Sequence, residues 1–179
     1  MSRSDRATPR SSPPPRAGRR ADLLRDLAVL LGFVVACLAV GGLGALATSN
    51  SVATWYPTLR KPDWTPPAWV FGPVWTTLYA AMGTAAWVVW KRGGFAGQRV
   101  ALSFFLAQLL FNALWSPLFF GMHHPGLAFA DIALLWLALL GTVAAFWKAR
   151  PLAGALLVPY LAWVTFASML NFILWRLNR

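Results

Sequence analysis

Five long blocks of apolar residues take up most of this chain: Leu27–Ala47, Trp69–Trp90, Val100–Phe120, Leu127–Trp147 and Leu152–Trp175. A helix needs about 20 mainly apolar residues to cross the hydrocarbon core of a bilayer, and each block meets that length. Lipid offers no partner to a backbone N–H or C=O, so spanning segments of this length pair their backbone internally, as helices. Barrel strands are shorter and alternate in polarity, which these blocks do not. Only 12% of the residues are charged, against about 25% in a soluble domain. The expected fold is an all-α integral membrane protein. Residues 23–179 form a five-transmembrane-helix bundle, preceded by a tail over residues 1–22.

That tail is rich in Arg, Ser and Pro, including Pro13, Pro14 and Pro15, and has little to bury, so disorder is expected there. An organelle transit peptide is one reading; a bacterial cytoplasmic tail held near anionic lipid is the blander one. The first block is longer than the apolar region of a cleaved signal peptide and reads as a retained span.

The net charge of +11 does not describe a nucleic-acid groove, because the cations flank the spans. Five spans put the N-terminus, the Lys91–Arg99 loop and the Lys148–Arg150 loop on one side, with twelve of the sixteen Lys and Arg. Arg60, Lys61, Arg176 and Arg179 remain for the other. The excess of cations on cytoplasmic loops then places the N-terminus inside and the C-terminus outside, in a multi-pass protein of a bacterial cytoplasmic membrane.

The connector Thr48–Ala68 faces outward in that topology. Pro57, Pro62, Pro66 and Pro67 each restrict φ, and Trp55, Tyr56 and Trp64 add rings, so it should hold one shape and act as a lid. Polar residues inside spans usually face the bundle interior. Gln108, Asn112 and Ser116 form one stripe, about 18, 12 and 6 Å from the outer end of their span. Trp75, Tyr79 and Gly83 form a second stripe, and Tyr160, Trp163, Ala167 and Asn171 a third. Asp131 leads a fourth, with Leu135, Ala138 and Thr142. The stripes converge in the outer half beneath the connector, where aromatic faces and a few amides would suit a flat apolar ligand.

Each residue also has a plainer explanation. Gln108, Asn112, Ser116 and Asn171 read equally as interhelical hydrogen-bonding glue. Trp69, Trp90, Trp147 and Trp175 read as interfacial anchors, whereas Trp75, Trp115, Trp136 and Trp163 lie deeper, as core or ligand contacts. Asp131 fits ligand contact or helix-dipole complementarity. The four span glycines Gly41, Gly42, Gly44 and Gly83 allow close helix approach, within the chain or between copies. Cys37 reads as a small buried hydrophobe, and His123 and His124 as a solvated turn rather than iron ligands. No hydrolytic or phosphoryl-transfer motif is visible, and no metal site or required cofactor is expected.

The segment from Trp55 to Pro67, WYPTLRKPDWTPP, resembles the first-loop signature of the translocator protein family, also known as tryptophan-rich sensory proteins. The resemblance continues through GPVWTTLYAAMG (Gly72–Gly83), QLLFNALWSPLFFG (Gln108–Gly121), Asp131 and Pro159–Asn171, and covers the chain from Leu27 onward. It implies a five-helix bundle, often dimeric, whose first loop caps a pocket for porphyrin or haem, for sterol in animal members, and for synthetic ligands. By resemblance, Tyr56, Asn112, Trp115, Asp131, Ala167 and Leu170 fall on pocket positions. Trp75 and Trp163 fall on the tryptophans tied to light-dependent porphyrin breakdown; Tyr79 and Gln108 join the expected site from their stripes. Phe172 stands where a sterol-recognition stretch needs Tyr, and Leu127 where animal members often carry Trp. Both departures favour a porphyrin-type ligand over a sterol. Porphyrin sensing without turnover, porphyrin photodegradation and transport remain the competing functions, in that order.

Overall fold

The computed structural model describes residues 16–179. It is helical, with α1 (Arg16–Thr54), α2 (Ala68–Trp90), a single turn α3 (Gly94–Gly97), α4 (Arg99–Ser116), α5 (Pro125–Ala149) and α6 (Pro151–Leu177). The long helices form a closed ring of neighbours: α1 against α2, α2 against α6, α6 against α5, α5 against α4, and α4 back against α1. Among the described residues four segments are long and apolar enough to cross a membrane, Arg19–Thr54, Arg99–Gly121, Pro125–Ala149 and Pro151–Leu177. The fifth long helix, α2, falls short of that apolarity because it carries Trp69, Trp75, Trp87, Trp90, Tyr79 and Pro73.

Proline sets most of the boundaries. The residue before a proline is pushed out of the helical region, so Arg150 is extended (φ −157°, ψ 114°) ahead of Pro151, and one residue suffices to turn α5 into α6. Pro125 and Pro151 open their helices, where a missing N–H costs nothing. Pro117 opens a π turn, Pro117–Gly121, that prolongs α4.

Two expectations about boundaries need correction. The expected tail over residues 1–22 is helical from Arg16, since the run from Arg19 to Leu27 is rich in helix formers and extends a helix already nucleated in the span; residues 1–15 lie outside the described residues. At the other end, α1 continues seven residues past Ala47, through Thr48–Thr54. Thr48 and Thr54 return their hydroxyls to the carbonyls of Gly44 (2.6 Å) and Asn50 (2.9 Å), so polar residues are accommodated in the helix. The helix stops just short of Pro57, leaving Trp55–Pro67 as the true loop.

Apolar side chains gain little by leaving lipid for one another, so packing and hydrogen bonds carry helix association. At the tail end of the bundle Gly83 lets α2 meet α1 backbone to backbone, since a Cβ there would sit 2.6 Å from the Val34 Cα and 2.9 Å from the Phe33 oxygen. The Asp26 carboxylate and Lys91 ammonium (2.5 Å) pin the same two helices. The buried core includes Met82, Val89, Phe105, Leu139, Phe146, Leu157 and Val164.

Candidate functional site

Within the ring, at the end nearest the Trp55–Pro67 loop, lies a cavity of ≈ 530 Å³, inside the range of about 300–1,000 Å³ common for small-molecule sites. Its aromatic wall is built by Trp75 and Tyr79 from α2, Trp115 from α4 and Trp163 from α6. Trp75 is central: its ring stacks on Tyr79 (5.5 Å) and meets Tyr160 (6.1 Å) and Trp163 (6.5 Å) edge to face. The Tyr79 ring lies so close to Gly41 that a Cβ there would sit 2.6 Å from Cδ2, so that glycine makes room for the tyrosine.

Of the ten residues expected at the site, Tyr56, Trp75, Tyr79, Asn112, Trp115, Trp163, Ala167 and Leu170 line the cavity. Gln108 and Asp131 do not. Gln108 is fully buried one turn deeper, where its Oε1 accepts from the Tyr160 hydroxyl (3.1 Å) and its amide nitrogen donates to the Met82 sulfur (3.2 Å). Asn112 stands between floor and cavity: its Oδ1 accepts from the Tyr79 hydroxyl and its Nδ2 donates to the Tyr160 hydroxyl (2.5 Å). The network Tyr79–Asn112–Tyr160–Gln108 thus ties α2, α4 and α6 together and forms the polar floor. Asp131 is buried, with one carboxylate oxygen unpartnered, and α5 instead offers Ile132 and Leu135 to the cavity.

Trp136 is a strut rather than a wall residue, donating its indole N–H to the Thr165 hydroxyl (2.8 Å). Leu127 is half-exposed and lies away from the lining. Asn171 accepts the Trp115 indole N–H (2.9 Å) and donates to the Pro125 carbonyl (2.8 Å), which sets Trp115 against the cavity and closes α5 on α6. The Trp163 indole N–H is buried and has no partner in the protein. Sequence reasoning missed Phe71, Phe119, Phe120 and Leu174, and it read Gly41, Gly42 and Gly44 as packing residues although they also line the cavity. Glycine carries no chemistry, so no signal pointed to that second role.

The loop forms a pinned roof. Asn178, just beyond α6, accepts the Arg60 N–H (2.8 Å) and donates to the Arg60 carbonyl (3.0 Å). Lys61 donates to the Tyr56 carbonyl (2.6 Å) and lies 4.6 Å over the Tyr56 ring. The Ser51 hydroxyl reaches the Phe120 carbonyl (2.6 Å), and Trp64 packs edge to face on Phe166 (5.7 Å). His123, with φ 54°, stacks on Trp55 (4.3 Å) instead of standing free in the turn. Among the described residues no group of three or more His, Cys, Asp or Glu is placed to hold a metal ion.

Fold and site together define a multi-pass helical membrane protein with an aromatic-lined internal cavity under a structured loop. The model of the TspO/MBR family matches residues 33–176, and the chain belongs to that family. It is 46% identical over 153 residues to the tryptophan-rich sensory protein of Cereibacter sphaeroides, covering 86% of this chain and 93% of the relative. It is 42% identical over 149 residues to the tryptophan-rich protein TspO of Archaeoglobus fulgidus, covering 83% of this chain and 96% of that one. To the human translocator protein it is 42% identical over 150 residues, covering 83% and 89%.

Proposed function

We propose that this chain is an integral membrane sensory protein that binds flat hydrophobic ligands of the porphyrin or haem type in the cavity beneath Trp55–Pro67, acting in tetrapyrrole regulation or stress sensing. The observation that carries this reading is the composition of the cavity wall. Trp75, Trp115, Trp163 and Tyr79 offer ring faces and edges, the geometry that stacks on an extended π-system. Of the polar lining residues, Asn112, Asn171, Tyr79, Thr48, Ser49 and Thr76 are already engaged within the protein, which leaves orientation to a few directed contacts. The reading includes all five long helices crossing a bacterial cytoplasmic membrane, N-terminus inside and C-terminus outside, and porphyrin as ligand with no cofactor required. It favours porphyrin over sterol as the ligand; a homodimer is a further part of what the family implies.

Titration of protoporphyrin against the tryptophan fluorescence of the purified protein should give saturable quenching. The Asn112→Ala, Ala167→Phe double variant should weaken it by loosening the floor and filling the wall. Unsaturable quenching that tracks detergent concentration would mean simple partitioning and would sink the reading.

One observation favours a second reading, light- and oxygen-dependent porphyrin breakdown: Trp75 and Trp163 meet edge to face (6.5 Å, 88°) on the cavity wall. An excited porphyrin against that pair could exchange an electron with an indole. Product formed under light and lost in both Trp75→Phe and Trp163→Phe supports turnover; equal bleaching of free porphyrin in micelles refutes it.

A further inference from the structure

We propose that the cavity exchanges its ligand with the lipid phase through a lateral portal between the outer halves of α1 and α2. Its ligand is therefore a membrane-partitioned amphiphile taken from the bilayer and not from water. This inference rests on the ligand-binding reading above and adds the route and the solvent from which the ligand comes.

The pattern of exposure carries it. Every cavity-lining residue on α4, α5 and α6 is buried or half-buried. The lining residues that are also exposed on the outside of the molecule are Gly42, Ala45 and Ser49 on α1, and Ala68, Gly72 and Thr76 on α2. A residue that faces a cavity and the exterior at once marks an opening, and all six side chains are small. At Gly42 and Gly72 an added Cβ would meet no atom within 4 Å. Nearer the tail the same two helices are sealed, by Gly83 against the Val34 backbone, so the gap is confined to the half that holds the cavity.

The rim suits lipid. The Ser49 hydroxyl is turned back to the Leu46 carbonyl (3.1 Å) and the Thr76 hydroxyl to the Gly72 carbonyl (2.9 Å), so neither needs water. The aqueous end, by contrast, is roofed by the Trp55–Pro67 loop with its two Asn178 bonds and the Tyr56–Phe120 and Trp64–Phe166 contacts. Water-side access would require breaking these together, whereas lateral access requires only that a lipid chain move aside.

The test is stopped-flow quenching by protoporphyrin of the full chain in phosphatidylcholine vesicles, with leucine placed in the open space on each side. Gly42→Leu, Gly72→Leu should slow association and dissociation together, by about tenfold, because a narrowed passage acts on both directions. Should the double variant fail to fold, each single variant carries the test, with a slowing of about threefold. Wild-type rates in these variants, or faster dissociation with unchanged association, would overturn the portal while leaving the ligand reading intact. Faster association in Asn178→Ala would assign access to the roof and overturn it equally. An absence of saturable quenching in the wild-type protein would overturn the ligand reading itself, and the portal with it.

Discussion

Asn112 serves two purposes at once. Its carbonyl holds the Tyr79 hydroxyl and its amide nitrogen the Tyr160 hydroxyl, and its remaining edge faces the cavity. Asn112→Ala leaves the Tyr79 hydroxyl without its acceptor while Tyr160 keeps its bond to Gln108, and an unsatisfied buried polar group costs about 1–3 kcal/mol. For a chain of this size that should lower the thermal midpoint in detergent by about 2–4 °C per kcal/mol, read by near-ultraviolet circular dichroism. Trp163 is the opposite case, because its indole N–H has no partner in the protein. Trp163→Phe keeps the ring contacts with Trp75, Phe71 and Phe166, so the midpoint should hold. Affinity for an acceptor-bearing ligand should fall by about 0.5–1.5 kcal/mol, the worth of one hydrogen bond. Isothermal titration with protoporphyrin and with a dialkyl ester checks this. Equal affinities for Trp163 and Phe would show that the N–H stays unpartnered in the complex.

At the scale of elements, the roof depends on one side chain from the far end of the sequence. Asn178 bonds both the N–H and the C=O of Arg60, so α6 positions a loop 118 residues away from it. In Asn178→Ala the Arg60 amide should exchange with deuterium at least tenfold faster, since about 1.4 kcal/mol of local protection would vanish, and two net hydrogen bonds are worth that. Unchanged exchange would mean that the Tyr56 and Trp64 ring contacts suffice to hold the loop. The seam between α1 and α2 makes a second prediction. Gly83→Leu places side-chain atoms where Val34 backbone already stands. Overpacking of this kind costs about 1–3 kcal/mol, so the variant should unfold at lower temperature or fail to accumulate in the membrane. A variant as stable as wild type would show that α1 and α2 separate without penalty.

For the whole molecule, cation placement predicts a topology: alkaline phosphatase fused after Arg179 should be active in a bacterial host, and fused after Arg92 inactive. The reverse pattern would invert the bundle and place the roof inside. How far the sequence carries depends on the kind of information asked of it. Hydropathy is local and additive, so the helical membrane-spanning class and the family signature were legible directly. Hydropathy also set α1 too short, because Thr48–Thr54 satisfy their hydroxyls within the helix and are polar without being a loop. In the site, the stripe rule placed Gln108 and Asn112 on one face and could not rank them. Depth against Tyr160 and Met82 decided that Gln108 is sealed in the floor while Asn112 reaches the cavity. Asp131 stands off the lining, and its helix presents Ile132 and Leu135 to the cavity. The amino-acid sequence by itself determined which helices exist and which residues carry rings and amides. Only the tertiary structure decided which of those meet, and that small residues of α1 and α2 face one another across the proposed opening, because a gap is made by atoms on two helices being absent together and leaves no mark on either one alone.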